Sequence, residues 1–313
     1  MTSITRFGPD TVWLITGSSS GLGAAFAKHI HASGHNLVAT ARNPSSLSYL
    51  PDDSSKILKV SLDVTSIPSI KAAFAEAVEK FGHIDVVVNN AGYLLIGDTE
   101  NATDEEARRE LDTCFWGVVD VSKEAVRVMR DVNPKGTGGL VIQVSSLGGQ
   151  VAIAGNAFYH ASKFGLEGFT EAFSKEMAPD WNINFLILEP GGVKSNFGTS
   201  SLKMIKPHPA YTDPNMPTRQ LENFMLAGDM DKQTSDPERV VEVVFDVVTG
   251  KVKGSEDGKL PLRLPLGVDG YAWIKGVLQA RLTDLETWKE VSESTMSEEV
   301  KAAVRAGNEK LGL

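Results

Sequence analysis

The chain has 313 residues, 42% of them apolar and 23% charged, the balance of a globular protein and not of a disordered or collagenous one. A formal charge of -9 argues against a polyanion-binding surface, and so against a nucleic-acid partner. The single cysteine, Cys114, excludes an internal disulfide and a multi-cysteine zinc site, which suits a reducing compartment and makes the cytoplasm the default location.

The first ten residues lack the basic flank and apolar core of a secretory signal, and no stretch approaches the roughly 18 apolar residues of a membrane span. From there short apolar strands alternate with amphipathic helices, the pattern of a parallel sheet covered on both faces. Strand one is expected at Val12 to Thr16, a helix from Gly21 to about Ser33, and strand two at Asn36 to Thr40. A third strand falls at Lys56 to Val60, an alanine-rich helix at Pro68 to Phe81, and a fourth strand at Ile84 to Val88. One long helix is expected from Asp104 to Arg130, then a strand at Leu140 to Val144, a helix at Tyr159 to Met177 and a strand at Ile183 to Leu188. Between Ser195 and Asp236 four prolines break the pattern, and we read the stretch as a substrate-covering segment. A helix returns at Pro237 to Val248, with a last strand at Lys259 to Leu266 and a terminal helix at Tyr271 to Trp288. The expectation is an α/β Rossmann-type doubly wound parallel sheet. With no linker, 1–313 reads as a single domain: a core over about 12–196, the covering segment over about 197–236, and C-terminal elements over 237–313.

Glycines stand where strand one meets its helix, at Gly17, Gly21 and Gly23. There they let the backbone approach a pyrophosphate while the helix N-terminus presents free N–H groups to the anion. The spacing, Gly-x3-Gly-x-Gly, departs from the generic dinucleotide fingerprint. Asp63 is placed to accept from an adenine amino group, and Asn90, Ala91 and Gly92 follow strand four. All of these lie at the carboxyl ends of strands, where open α/β sheets bind ligands. Strand two ends in Thr40, Ala41 and Arg42, with no acid for a free 2′-hydroxyl and an arginine suited to a 2′-phosphate, so the expected cofactor is NADP(H). Ser19, Ser20 and Leu22 in the turn, and Val64 beside Asp63, complete this candidate set.

Tyr159 and Lys163 are four residues apart and share one helix face. A phenol with a pKa near 10 loses its proton more readily beside an ammonium. Ser146, at the end of the preceding strand, offers a second hydroxyl to the same substrate oxygen, while its neighbour Ser145 reads as a strand-end hydroxyl.

Taken in order, TGSSSGLG, NNAG, VSS and YHASK resemble the short-chain dehydrogenase/reductase family over about Val12 to Asn196. The resemblance implies Tyr159 as acid/base, Lys163 lowering its pKa and holding the nicotinamide ribose, and Ser146 orienting the substrate oxygen. It also implies that Tyr159 and Lys163 contact the cofactor, and that Pro190, Gly191, Val193 and Ser195 flank the nicotinamide. The tail is similar to the branch resembling 17β-hydroxysteroid dehydrogenases. One position departs: Cys114 stands where the family commonly has an asparagine that holds a water of the proton relay, and a thiol is a much weaker partner than an amide. Three readings follow: a buried small residue with the water held by backbone, an altered enzyme, or a reactive thiol.

The six histidines show no metal-ligand spacing and read as surface residues, with His160 off the catalytic face. No metal site is expected. Ser146 lies outside a G-x-S-x-G elbow, which argues against hydrolase chemistry. Phe197, Met204, Tyr211, Met216, Phe224 and Met225 either line an apolar pocket or pack ordinarily. The expected function is carbonyl–alcohol interconversion on a small, apolar organic substrate, with a homo-oligomer compatible. The rival is a non-redox biosynthetic enzyme or an NADPH-binding regulatory module on the same scaffold.

Overall fold

A computed structural model describes residues 7–52, 55–194, 201–226, 234–255 and 259–311. The chain divides into two compact units, 1–271 and 272–313. Their boundary falls inside a helix, Val268–Thr287, so no change of composition marks it.

The first unit is built on seven parallel strands: β1 (Val12–Ile15), β2 (Asn36–Ala41), β3 (Ile57–Ser61), β4 (Val86–Asn89), β6 (Gly139–Val144), β7 (Ile183–Pro190) and β9 (Arg263–Leu266), with β5 (Leu94–Ile96) and β8 (Leu202–Met204) outside this sheet. Their order is β3-β2-β1-β4-β6-β7-β9. The chain therefore winds outward in both directions from the β1–β4 pair, where Trp13 is opposite Val86 and Ile15 opposite Val88. Such a reversal opens a crevice at the carboxyl ends of the two central strands.

Alternation along the strands divides the core between the sheet's faces. Trp13, Ile15, Val86, Val88, Leu140 and Ile142 pack with Phe26 and Ile30 of α1 (Gly21–Ala32) and with Val241 and Val244 of α7 (Pro237–Val248). Val12, Leu14, Val87 and Val141 face the other way, onto Phe74 of α2 (Ile67–Phe81) and Val121 and Met129 of α4 (Gly117–Asp131). These side chains are almost wholly removed from water, and at about 25 cal/mol per Å² their burial is the main force holding helices to sheet.

Three regions differ from the expectation. The long helix expected over Asp104 to Arg130 is three pieces: α3 (Asp104–Leu111), one π turn at Asp112–Trp116, and α4. Hydrophobic period does not register a single π turn, which inserts one residue without ending the helix. The proline-rich segment holds regular structure as well. β8 (Leu202–Met204) pairs in parallel with β5 (Leu94–Ile96), and α6 (Pro217–Leu226) starts on a proline, where the missing N–H costs nothing. Arg219 of α6 reaches the buried Asp98 carboxylate at 2.8 Å and Glu222 at 2.9 Å, which anchors the segment beside β5. Finally, α5 begins at Ala157, two residues earlier than its pattern suggests, and runs to Lys175.

The second unit continues α8 (Val268–Thr287) into α9 (Lys289–Glu293) and α10 (Glu298–Leu311). Helices beyond Trp288 were not expected from the sequence. No helix among the described residues is long and apolar enough to cross a membrane.

Candidate active site

Because every strand of the large sheet is parallel, the residues following each strand gather along one edge. The turn after β1, Arg42 after β2, Asp63 and Val64 after β3, Asn90 to Gly92 after β4, Ser146 after β6 and Pro190 at the end of β7 share that edge.

The glycine turn is tightly made. Gly17 has φ +68, and a Cβ there would lie 2.9 Å from the Ala91 Cα. A Cβ on Gly23 would run into the Gly17 carbonyl oxygen and lie 2.5 Å from Asn90 Nδ2. Asn90 locks the turn: its side-chain amide donates to the Thr16 and Gly17 carbonyls at 3.0 and 3.1 Å. The Thr16 hydroxyl accepts from the Asn90 and Ala91 N–H groups at 2.9 and 3.0 Å. Thr16 is thus a structural partner of the site that the glycine spacing does not reveal. At the start of α1, Ser20 is extended and its side chain makes no capping bond. First-turn N–H groups of a helix left without a side-chain cap are suited to an anion, so the cradle fits a dinucleotide pyrophosphate. The Leu22 side chain, half-buried, packs against the core.

Arg42 is exposed directly after β2, and its guanidinium forms no ion pair among the described residues. Asp63 Oδ1 accepts from the Thr65 N–H at 2.9 Å and hydroxyl at 2.7 Å, while Val64 beside it is buried. On the far side of the edge, Gly191 N–H donates to the Leu266 carbonyl, Val193 bridges to Ser235, and Gly192 N–H donates to Asp269 Oδ2 at 2.7 Å. Asp269 is a further residue that shapes this turn, and nothing in its local sequence marks it. Ser195 lies outside the described residues, as does Phe197.

Ser146, Tyr159 and Lys163 come together. The Ser146 hydroxyl is hydrogen-bonded to the Tyr159 phenol and accepts from the Gly148 N–H at 3.0 Å. Lys163 Nζ lies 5.6 Å from the centre of the Tyr159 ring and donates to the Val144 carbonyl at 2.8 Å. Burial pushes the Tyr159 phenol above its ordinary value, against the pull of the Ser146 hydrogen bond. Burial also pushes the Lys163 ammonium down, outweighing the acidic groups around it, Cys114, Glu110 and Glu167. The phenol is therefore held neutral, as a proton donor must be. Ser145 bonds instead to Glu167 at 2.8 Å, a structural contact.

The histidines correct one expectation, since His160 and His35 are buried and not on the surface. His160 Nε2 accepts from the Ile153 N–H at 2.9 Å and its Nδ1 lies 2.9 Å from the Gly148 carbonyl, so it pins the loop behind Ser146. One-residue spacing from Tyr159 takes it off the reacting face yet puts it against that loop.

Cys114 is fully buried in the π turn. Its Sγ is 3.5 Å from the Tyr93 carbonyl, and burial pushes the thiol up. A neutral, solvent-shielded thiol is inert. We expect Ellman's reagent to titrate under about a tenth of a thiol in the native protein and one in guanidinium. Stoichiometric labelling of the native protein would restore the reactive-thiol reading.

A family model described as short chain dehydrogenase matches residues 11–206. The chain is 48% identical over 287 residues to the oxidoreductase calM of Penicillium decumbens, covering 90% of this chain and 92% of that protein. It is 35% identical over 286 residues to an uncharacterized oxidoreductase of Schizosaccharomyces pombe, covering 91% and 92%. A short-chain dehydrogenase structure from Streptomyces avermitilis superposes with a TM-score of 0.79 at 31% identity, over 92% of this chain and 98% of that one.

Proposed function

The chain belongs to the short-chain dehydrogenase family of nicotinamide-dependent oxidoreductases, and within it we propose an NADP(H)-dependent enzyme that interconverts a carbonyl and an alcohol on a small apolar substrate. The observation that carries this reading is the Ser146–Tyr159–Lys163 cluster at the same sheet edge as an uncapped glycine turn. The nicotinamide, when bound, supplies the hydride. Tyr159 then protonates the oxygen on which negative charge develops, and Ser146 holds that oxygen with a second hydrogen bond. Lys163 would hold the nicotinamide ribose and restore the proton to the phenolate. Asp63 and Val64 would line the adenine side of the bound dinucleotide, and Asn90, Ala91 and Gly92 its floor.

An apolar substrate is favoured by what packs around the phenol: Leu94 and Ile96 of β5, with Leu202, Leu221 and Met225 from the covering segment. Of the other apolar candidates there, Met204 and Phe224 are exposed. NADP(H) is favoured over NAD(H) by Arg42, an exposed cation at the strand end where no acid stands. A panel of ketones and aldehydes, followed by NADPH absorbance, tests the reaction. NADPH binding without loss of its absorbance on any member of the panel would favour a binding module.

Arg42→Asp tests the cofactor. Loss of charge-assisted bonds to a 2′-phosphate is worth roughly tenfold to a hundredfold in affinity. The NADPH over NADH ratio of kcat/KM should fall by that factor, and an unchanged ratio would remove Arg42 from the cofactor site.

A further inference from the structure

The turn that carries Ser146 is held by one acidic side chain to which the mechanism above gives no task. Glu167 follows Lys163 by four residues on α5, as Lys163 follows Tyr159, so the three line one side of the helix. Glu167 is 3% exposed. Its two oxygens are divided between the two ends of one short stretch of chain. Oε1 accepts from the Ser145 hydroxyl at 2.8 Å, and Oε2 accepts from the Gln150 side-chain amide at 2.8 Å. Between those ends lie Ser146 and the tight turn Leu147–Gly149. The fit is close. A Cβ on Gly149 would stand 2.5 Å from Glu167 Oε1 and 2.7 Å from Ser145 Oγ, and one on Gly148 would stand 3.2 Å from Tyr159 Cε1. The turn is therefore packed between the Glu167 carboxylate and the Tyr159 ring.

Glu167 is itself fixed. Arg263 of β9 donates through Nε to Glu167 Oε2 at 2.8 Å and through Nη2 to Glu171 Oε2 at 2.9 Å. Its Nε also lies 3.8 Å from Glu189 Oε1, near the end of β7. Taking a charge pair out of water is costly, and apolar packing in its place is often neutral or stabilising. Stability is thus weak ground for a carboxylate here. Three donors do provide orientation, because a side chain locked by several hydrogen bonds keeps one position.

We propose that Glu167 is a positioning residue for the carbonyl reaction: by clamping Ser145 and Gln150 it fixes the Ser146 hydroxyl beside the Tyr159 phenol, so that both meet one substrate oxygen. This rests on the carbonyl-reductase reading above, in which Ser146 holds that oxygen. A displacement of about 1 Å from the reacting geometry can cost about 100-fold in rate.

The test is a set of variants in NADPH-dependent reduction of a carbonyl from the panel. Glu167→Met keeps the bulk and removes both acceptors. Its kcat should fall roughly tenfold to a hundredfold, with NADPH affinity within about twofold of wild type. Glu167→Gln removes the charge but not the clamp, because its carbonyl can face Gln150 and Arg263 while its NH2 donates to the Ser145 hydroxyl. It should keep kcat within about threefold of wild type. In a Ser146→Ala chain, Glu167→Met should lower kcat by at most about twofold more, because the hydroxyl it positions is gone. Ser145→Ala releases one end of the turn only. It should cost roughly threefold to tenfold alone and under about twofold beside Ser146→Ala, and it carries the test if thermal melts show Glu167→Met to be unfolded.

A residue that merely supports the fold would give a loss that multiplies with that of Ser146→Ala. A residue acting through its charge on Lys163 would make Glu167→Gln as damaging as Glu167→Met. Either result would overturn the proposal. Wild-type turnover of Ser146→Ala itself would instead overturn the reading beneath it.

Discussion

Tyr159→Phe lowers turnover of carbonyl reduction by roughly 100- to 10,000-fold, the share a positioned general acid supplies, and leaves dinucleotide affinity within about twofold. Two structural features set this expectation. The ring itself is retained, so the packing of Leu94, Ile96 and Leu221 around it survives, and only the hydroxyl leaves. That hydroxyl is the one that Ser146 contacts and that burial keeps protonated. The Ser146 hydroxyl still accepts from the Gly148 N–H at 3.0 Å, so its loop stays in place. NADPH fluorescence and stopped-flow absorbance separate the two outcomes. Loss of binding together with loss of turnover would mean that the phenol serves the cofactor and not the proton.

What the chain discloses before it is folded follows the physics of each element. The buried strands β1, β4 and β6 are mostly valine, leucine and isoleucine, and a helix leads into or out of each, an alternation that a parallel sheet makes compact. Once the sheet is parallel, each motif that follows a strand falls on the same edge, which is why Gly17, Asn90 and Ser146 could be grouped without coordinates. β5 and β8 stayed hidden because three residues, Leu-Lys-Met in β8, carry no period, and their pairing joins Leu94 to Leu202 across more than a hundred residues. Asp98 and Arg219 are similarly distant in sequence, 2.8 Å apart in space. Glu167 was invisible for another reason. On a helix that also carries Glu171 and Lys175, one more acid reads as a solvated face. Only burial against the turn that follows Ser145 distinguishes it.

The motif residues also divide by task in a way that spacing does not convey. Asn90 turns its amide onto the Thr16 and Gly17 carbonyls. Leu22 packs inward, and Gly192 is bound to Asp269. These residues build the site's shape. The reacting atoms are proposed to lie on Ser146, Tyr159 and Lys163, and Ser20 and Gly21 lie at the start of α1, whose first N–H groups suit an anion.

Gly23→Ala weakens dinucleotide binding by roughly tenfold to a hundredfold, the counterpart of the 1–3 kcal/mol that overpacking a tight site costs. Alanine is otherwise the better helix former, by up to about 1 kcal/mol, so propensity alone would predict a gain. Contact decides the sign. The new methyl would collide with the Gly17 carbonyl and stand 2.5 Å from Asn90 Nδ2, and neither can yield cheaply. The carbonyl belongs to a backbone at φ +68, and the amide is held by two hydrogen bonds. The turn must open, and α1 must shift away from β1, which moves the helix N-terminus off the pyrophosphate. Asn90→Ala separates these steps, since it removes the amide without adding a methyl. If the turn's shape is what binds, that variant should lose affinity by a smaller factor and the double variant should recover part of the Gly23→Ala loss. Equal affinity of Gly23→Ala and wild type, with a normal melt, would show that the dinucleotide does not depend on this turn.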